Sequence, residues 1–524
     1  MTLLLDQDDL TSKQQDYAVF LPALSSFYAT YIGKQRHDPT YIDSTRIPKQ
    51  FNNGIEGMNW LNDKQGYFHY KWALYSAGHA NLDVNKMDPK EDMVRNRDPN
   101  TFVLGDSGGF QIGKGVWEGD WKDPNCPKAQ KKREQVLSWM DAYMDRGMIL
   151  DVPAWVARSP AGQRATGVTS YQEAVNATMI NNEYFMRNRN GRCKFLNVLQ
   201  GENHGEAEDW YNQMKKFCDP NQYSQPFEGW AMGGQNMCDV HLLLKRIVAL
   251  RFDGLLEPGL HDWMHFLGTS KLEWALLLTD VQRAVRRYHN ENFTISFDCA
   301  SPFLATANGQ IYYDVGTVDR SKWSYYMRPS VDDKKYATDS RSFRDAIIQD
   351  GKMQTFLESP ISKRLEIRDV CIYKPGDKNK IGKEGRTSWD SFSYTLQMAH
   401  NVWTHLYAVQ EANRQYDQGL SPEMLISSTS NKRVFRQYDR TYFRDIVNDI
   451  FATSDRGRAE SIIEHHSKYW ECIVGTRGMT GKNTRNASSM FNNLFATTDN
   501  SLQDRDDSGL DNEMLNQLEQ MQND

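Results

Sequence analysis

Two aspartates stand where an apolar segment gives way to small and polar residues, and they are the clearest candidates for chemistry in the sequence. Asp106 lies in the stretch Leu-Gly-Asp-Ser-Gly-Gly-Phe-Gln at 104–111, and Asp298 in Ile-Ser-Phe-Asp-Cys-Ala-Ser-Pro at 295–302. Each pattern is typical of a buried strand that delivers a carboxylate to a loop. Two such carboxylates suit acid, base or nucleophile chemistry. The paired glycines after Asp106 let the backbone approach a flat ligand, and Phe110 offers that ligand a ring to stack on.

Eight short, β-leaning apolar runs provide the elements that must position these residues. They cover residues 18–22, 73–77, 101–104, 148–152, 195–199, 229–232, 264–267 and 294–297. From the fourth run onward, helical patterns separate them, which favours strand-helix units. Eight such units predict an α/β fold, a parallel (β/α)8 barrel of the TIM type, whose functional residues lie at the carboxyl ends of the strands. The residues expected to meet at that mouth are Asp106, Asp151, Gln200, Gly233, Gly234, Gly268 and Asp298.

The composition describes a soluble globular protein. Of 524 residues, 39% are hydrophobic and 25% are charged, and no apolar segment is long enough to span a membrane. The acidic first residues lack the order of a secretory signal, so we expect a cytoplasmic protein, or one in the host cytoplasm if it is viral. Seven cysteines without a Cys-x-x-Cys pair fit reduced thiols. A net charge of -6 excludes a surface covered in phosphate-binding charge but allows a local basic patch.

The chain divides by composition into four regions. The barrel is expected over 1–350, with insertions at about 112–135 and 319–344. A helical segment follows over 351–420, and a helical extension over 421–496. Residues 497–524 are rich in Asp, Asn, Gln and Ser, so they are predicted to form a disordered acidic tail.

Cations alternate with aromatic residues in both insertions, a pattern that suits a nucleic-acid strand. The alternative is an ordinary solvated loop with a few anchoring aromatic side chains. The candidate nucleic-acid contacts, including three from the helical C-terminus, are Lys114, Trp117, Lys131, Lys132, Arg133, Lys322, Arg328, Arg436, Arg477 and Lys482.

Five motifs in order resemble those of the tRNA-guanine transglycosylase superfamily. They stand at 106–111, 199–201, 233–234, 297–302 and 308–310. The resemblance covers most of residues 18–415 and implies a modified (β/α)8 barrel that exchanges a guanine in a polynucleotide for a 7-deazaguanine base. By the same resemblance, Asp298 is the nucleophile that forms a covalent glycosyl intermediate, and Asp106 is the general acid and base. Such a double displacement retains configuration at the sugar.

The resemblance also implies a pocket for the base. Asp151 would accept hydrogen bonds from the base N1–H and exocyclic amine, while Gln200 and the Gly234 N–H would serve O6. Phe110 would stack on one face of the purine, opposite Leu267. The other residues that the motifs place around the base are Ser107, Gly109, Gly233 and Gly268.

The sequence departs from the tRNA-acting members at their zinc site. Cys371 and the pair 400–401 (His-Asn) match two elements of that site, but 372–376 supplies no further cysteine. Two ligands do not hold a structural zinc, and His405 is poorly spaced to add a third. We therefore expect neither zinc nor another cofactor, and Cys371 as an ordinary buried thiol. Gln235 stands where bacterial members usually have leucine, which leaves the fine base specificity open.

Without the zinc element, the sequence is most similar to the DNA-acting branch of the superfamily, DpdA, found in phages and in bacterial DNA-modification islands. The opening stretch 20–28 and the aromatic insertions support this assignment. The expected function is DNA-guanine transglycosylation with 7-cyano-7-deazaguanine or a derivative, and a duplex substrate requires extrusion of the target nucleotide. The expected partners are DNA and the free base, and a partner enzyme for strand opening stays open. The alternatives are a tRNA-guanine transglycosylase that lacks zinc and a non-catalytic nucleic-acid-binding paralogue.

Overall fold

A computed structural model describes residues 8–348, 355–372, 387–428 and 440–475. Three of the predicted nucleic-acid contacts, Arg436, Arg477 and Lys482, lie outside these residues, as does the tail predicted at 497–524. Among the described helices, none is both long and apolar enough to cross a membrane.

Eight parallel strands form the centre of the molecule and confirm the predicted (β/α)8 barrel. The strands are β1 (Val19–Pro22), β2 (Trp72–Ser76), β3 (Phe102–Asp106), β4 (Arg146–Met148), β5 (Lys194–Leu199), β6 (Gly229–Met232), β7 (Trp263–Phe266) and β8 (Thr294–Cys299). Strands β2 to β8 are paired in chain order, and β8 pairs with β1. A parallel bridge between Ala23 and Leu74 joins β1 to β2 and completes the circle.

Helices surround the barrel and continue beyond it. They are α1 (Leu10–Gln14), α2 (Ser26–His37), α3 (Pro89–Arg95), α4 (Gly109–Gly113), α5 (Pro127–Tyr143), α6 (Pro160–Thr166), α7 (Tyr171–Asn188), α8 (His204–Met214), α9 (Val240–Phe252), α10 (Leu272–Tyr288), α11 (Ser301–Ala307), α12 (Phe343–Ile347), α13 (Ile367–Val370), α14 (Ser391–Asp417), α15 (Phe443–Ala452), α16 (Arg456–His465) and α17 (Ser467–Trp470).

Large side chains close the amino-terminal end of the barrel. The ring of Phe102 stacks on Trp263 from across the barrel, with ring centroids 4.5 Å apart. The guanidinium of Arg146 lies 5.3 Å from the centroid of the same Trp263 ring. Because successive residues of a strand face opposite sides, the second and fourth residues after Phe102, Leu104 and Asp106, face the same interior. The barrel is therefore a filled core whose accessible end is the carboxyl end of its strands.

The two predicted insertions adopt different structures. The first becomes a loop followed by the first turns of α5. An antiparallel hairpin joins β9 (Gln310–Gly316) to β10 (Ser324–Pro329), so the predicted second insertion supplies β10, whereas β9 precedes it. Helix α14 holds this hairpin, because the Asn401 amide oxygen accepts the Tyr312 N–H at 3.0 Å. A second short pair, β11 (Ile426–Ser428) and β12 (Arg440–Tyr442), precedes α15.

Candidate active site

The mouth of the barrel brings together the residues predicted at the strand ends. Asp106 is the last residue of β3, and its Oδ2 accepts a 2.5 Å hydrogen bond from Ser76 Oγ, the last residue of β2. Removal from water raises the pKa of Asp106, the Ser76 hydrogen bond opposes this shift, and the charge of Asp298 adds to it. A carboxyl with a raised pKa next to a second carboxylate can hold a proton and deliver it.

Asp151 and Gln200 form a hydrogen-bonded pair on the loops that follow β4 and β5. The Gln200 Nε2 donates to Asp151 Oδ2 at 2.8 Å, and the two residues are only 6% and 9% exposed. Burial raises the pKa of Asp151 to about 7, against the lowering effect of the Gln200 hydrogen bond, and the charge of Asp106 raises it further. Burial therefore makes loss of a proton from this carboxyl less favourable than it is for an aspartate in water.

Asp298 lies on β8, and one of its oxygens has two hydrogen-bonding neighbours. The Gly268 N–H donates to Asp298 Oδ1 at 3.0 Å, and His265 Nε2 lies 3.1 Å from the same oxygen. His265 is fully buried on β7, and its Nδ1 lies 2.8 Å from Ser296 Oγ. Trp263 Nε1 donates to that hydroxyl at 2.8 Å. Among the described residues, no hydrogen bond is made to the other oxygen of Asp298.

His265 was not predicted from the sequence, although a signal for it exists. It stands inside the apolar run 264–267, which marks it as a strand residue rather than a loop residue. In the ladder His265 is opposite Ser296, two residues before Asp298, so the three side chains share the inner face of the barrel. Counting alternate positions along each strand would have found it.

Glycines keep the space around the Asp151–Gln200 pair open. A Cβ on Gly109 would lie 2.7 Å from Asp151 Oδ1, and one on Gly233 would lie 2.9 Å from Gln200 Nε2. Gly234 has φ +54°, and its Cβ would lie 2.4 Å from the Gly201 carbonyl oxygen, so glycine is required there for both reasons. The predicted Gly-Gly element thus packs directly against the predicted base-binding pair.

Phe110 occupies the rim of the mouth as a stacking residue would. Its side chain is 49% exposed, which is unusual for a phenylalanine, and Lys114 Nζ lies 5.3 Å from the ring centroid. Ser107, three residues earlier in the chain, is buried at 2% exposure. On the opposite side, Leu267 is partly buried, and its N–H donates to the Met232 carbonyl at 3.3 Å.

The residues that resemble a zinc site make other contacts. His400 is buried between the Ser359 hydroxyl, 2.8 Å from Nδ1, and the Tyr312 carbonyl, 2.7 Å from Nε2. Burial lowers the pKa of His400 to about 4. The Cys371 thiol is buried and donates to the Val331 carbonyl at 3.6 Å. Within the described ranges, no group of three or more His, Cys, Asp or Glu side chains is placed to hold a metal ion.

The predicted nucleic-acid contacts fall into two groups. Lys131 and Lys322 are exposed, and Lys132 lies 4.6 Å from the centroid of the Trp117 ring. In contrast, Arg133 is 1% exposed, and its Nε donates to Asn181 Oδ1 at 2.5 Å, so it is not placed to contact a nucleic acid at the surface. Arg328 is partly buried and donates to the Ile347 carbonyl at 2.7 Å, which ties the hairpin to α12.

A cavity of about 1400 Å³ opens between the hairpin and the C-terminal helices. Its basic lining residues include Lys271, Lys322 and Lys468. Ser270, two residues after the glycine that binds Asp298, is one of its lining residues, whereas Asp106 and Asp298 do not line it.

Comparison of the chain with models of known protein families and with curated proteins finds no match.

Proposed function

We propose that the protein is a DNA-guanine transglycosylase, which exchanges a guanine of DNA for a 7-deazaguanine base through a covalent aspartyl-glycosyl intermediate. The observation that carries the proposal is the placement of Asp106 and Asp298, two carboxyl groups near the carboxyl ends of separate strands, β3 and β8, of the same barrel. Between them, around the rim, lie the Asp151–Gln200 pair and the two glycines that leave room for a planar ligand. This combination supports the roles that the motif resemblance assigns.

The reaction has two displacements at C1′ of the target nucleoside. In the first, Asp298 attacks C1′, the bond from C1′ to N9 of guanine breaks, and its electron pair is taken by guanine with a proton from Asp106. In the second, Asp106 accepts the corresponding proton from the incoming base, whose nitrogen attacks C1′ and returns the electron pair to Asp298. The raised pKa of Asp106 suits a group that must both give and take this proton.

The pocket suits a guanine-like hydrogen-bonding pattern. The carboxylate of Asp151 accepts from the N1–H and the exocyclic amine, while the Gly234 N–H and the Gln200 amide face O6. Phe110 covers a face of the base from the exposed rim. Adenine presents the opposite donor and acceptor pattern at these positions, so it would leave buried polar groups unpaired, at about 1–3 kcal/mol for each one.

DNA is proposed as the polynucleotide because the element that resembles the zinc site of the tRNA-acting enzymes is rebuilt here without the other cysteines. The exposed cations beside the mouth, Lys322 among them, supply charge for a phosphate backbone. Target extrusion from a duplex costs a few kcal/mol, which these contacts must offset. We place the reaction in the cytoplasm, where the DNA and the free base are accessible.

The test is incorporation of labelled 7-cyano-7-deazaguanine into duplex DNA, single-stranded DNA and bulk tRNA, measured in parallel. The proposal expects label in DNA, none with Asp298→Ala, and a DNA–protein adduct that survives denaturation when no free base is added. Label in tRNA alone would assign the protein to a zinc-free tRNA-guanine transglycosylase. Binding of nucleic acid without label in any of the three would assign it to a non-catalytic paralogue.

A further inference from the structure

We propose that His265 positions Asp298, and that Trp263 and Ser296 fix the proton of His265 on the nitrogen that faces the nucleophile. The role of His265 in catalysis rests on the proposed function. The position of its proton rests on hydrogen-bond chemistry alone.

Trp263 gives the chain of hydrogen bonds its direction. An indole N–H can only donate, so the Ser296 oxygen must accept at the 2.8 Å contact. The hydroxyl proton of Ser296 is then available for His265 Nδ1, which lies 2.8 Å away and accepts it. A neutral imidazole that accepts at Nδ1 carries its proton on Nε2. Nε2 therefore donates to Asp298 Oδ1 across the 3.1 Å contact.

A proton on Nδ1 of His265 instead of Nε2 would leave hydrogen-bonding groups unpaired. With the proton on Nδ1, the Ser296 oxygen would accept from both Trp263 and His265, and its own proton would have no acceptor within this chain of contacts. Nε2 would then face the Asp298 carboxylate with a lone pair. Both Ser296 and His265 are fully buried, so water cannot relieve either mismatch.

The direction of these hydrogen bonds determines which oxygen of Asp298 attacks C1′. Oδ1 receives two donors, His265 Nε2–H and the Gly268 N–H, so its lone pairs are engaged and its position is fixed. Oδ2, with no hydrogen bond among the described residues, is the oxygen that forms the bond to C1′. In the covalent intermediate Oδ1 is the ester carbonyl oxygen. When the second base attacks, the bond from Oδ2 to C1′ breaks and the carboxylate reforms against the same two donors. His265 thus assists mainly the departure of Asp298.

The test compares three variants of His265. Asn and Gln place an amide near the positions of Nδ1 and Nε2 respectively, so only His265→Gln keeps a donor towards Asp298, while His265→Phe keeps a ring without one. Loss of a preorganised donor to a reacting carboxylate lowers kcat by about 100-fold. We expect this loss in His265→Phe and His265→Asn, with more covalent adduct at steady state, because departure is the slowed step. In a double displacement KM for DNA then falls together with kcat, so kcat/KM for DNA should stay unchanged. His265→Gln should recover most of the rate.

An unchanged kcat in His265→Phe would overturn the inference, and so would equal rates in the Asn and Gln variants. If His265→Phe fails to fold, as judged by circular dichroism, the Asn and Gln pair carries the comparison. The position of the proton is measured without any substrate, by long-range ¹⁵N–¹H correlation on protein labelled at histidine, with His265→Gln to assign the signal. The expected result is a proton on Nε2 at neutral pH, and a proton confined to Nδ1 would refute the proposal. Because this readout needs no turnover, it separates a failure of the inference from a failure of the proposed function.

Discussion

Substitution of Asp151 by asparagine should make the fold less sensitive to pH while it abolishes base binding. The carboxyl has an ordinary pKa of 3.8, which burial raises to about 7 in the folded protein. Between these values the folded state holds a proton that the unfolded state has released. The stability that Asp151 contributes is thus complete below pH 4 and is lost as the pH rises through 7. Asparagine has a similar shape and does not ionise.

The size of this effect on the free energy of unfolding follows from the pKa shift of Asp151. About 3 pKa units at 1.36 kcal/mol each give a ceiling of about 4 kcal/mol. In the unfolded chain the Asp151 carboxyl is already largely ionised at pH 5, so part of the stability that it contributes is lost below that pH. About 3 kcal/mol of the loss falls between pH 5 and pH 8. Across that interval, the free energy of unfolding of Asp151→Asn should rise relative to the wild type by up to this amount.

Urea unfolding of both proteins at several pH values measures this difference. Asp280 on α10, whose pKa burial also raises to about 7, offers a matched control because it lies on an outer helix and accepts a hydrogen bond from Tyr416 at 2.6 Å. Asp280→Asn should show the same direction of pH effect but keep base binding. Asp151→Asn should lose binding of the free base, because one of the two acceptor oxygens is replaced by an amide donor. If the unfolding free energies of wild type and Asp151→Asn stay parallel from pH 5 to pH 8, Asp151 is not a buried carboxyl of raised pKa. If Asp151→Asn still binds the free base, the proposed role of Asp151 in the base pocket is wrong.

Four further outcomes are expected. Asp298→Ala should abolish both exchange and the trapped adduct, whereas Asp298→Asn should still bind DNA in a gel-shift assay; turnover by the alanine variant would exclude the nucleophile assignment. Asp106→Asn should slow formation of the adduct, and the loss should shrink for a DNA whose target base is a better leaving group, because that base needs less protonation. Phe110→Ala should raise KM for the base by about 5- to 150-fold, since stacking on an aromatic ring contributes about 1–3 kcal/mol, and an unchanged KM would show that the ring does not cover the base. Exhaustive chelation should leave exchange intact, and restoration of lost activity by added zinc would contradict the prediction of a zinc-free protein.

The fold, and the residues at the carboxyl ends of its strands, could be predicted from the sequence for one physical reason. In a parallel barrel all strands end at the same rim, so Asp106, Gln200 and Asp298 could be assigned to one mouth without knowledge of distances. The Asp151–Gln200 hydrogen bond could be identified only from the structure, because the two residues are 49 positions apart and belong to different strand-helix units.

The residues that sequence reasoning misplaced or missed depend on burial, which composition does not reveal. Arg133 belongs to a segment of cations and aromatics, and only the packing shows that its side chain is enclosed and bonded to Asn181. His265 was concealed by its apolar neighbours. The pair 400–401 matched a metal-site pattern, yet the fold uses both side chains to secure the hairpin to α14.

The strand that carries Asp298 also joins the two ends of the barrel, since Ser296 lies opposite Val19 in the ladder. A ribosome must therefore produce nearly 300 residues before the first strand acquires this neighbour. Until then β1 and β7 each present an unpaired edge, and a contact between residues so distant in sequence forms slowly. Asp298 thus enters the mouth in the same event that closes the barrel, so a nascent chain or a truncated product that ends before β8 lacks both a sealed sheet and this carboxyl group.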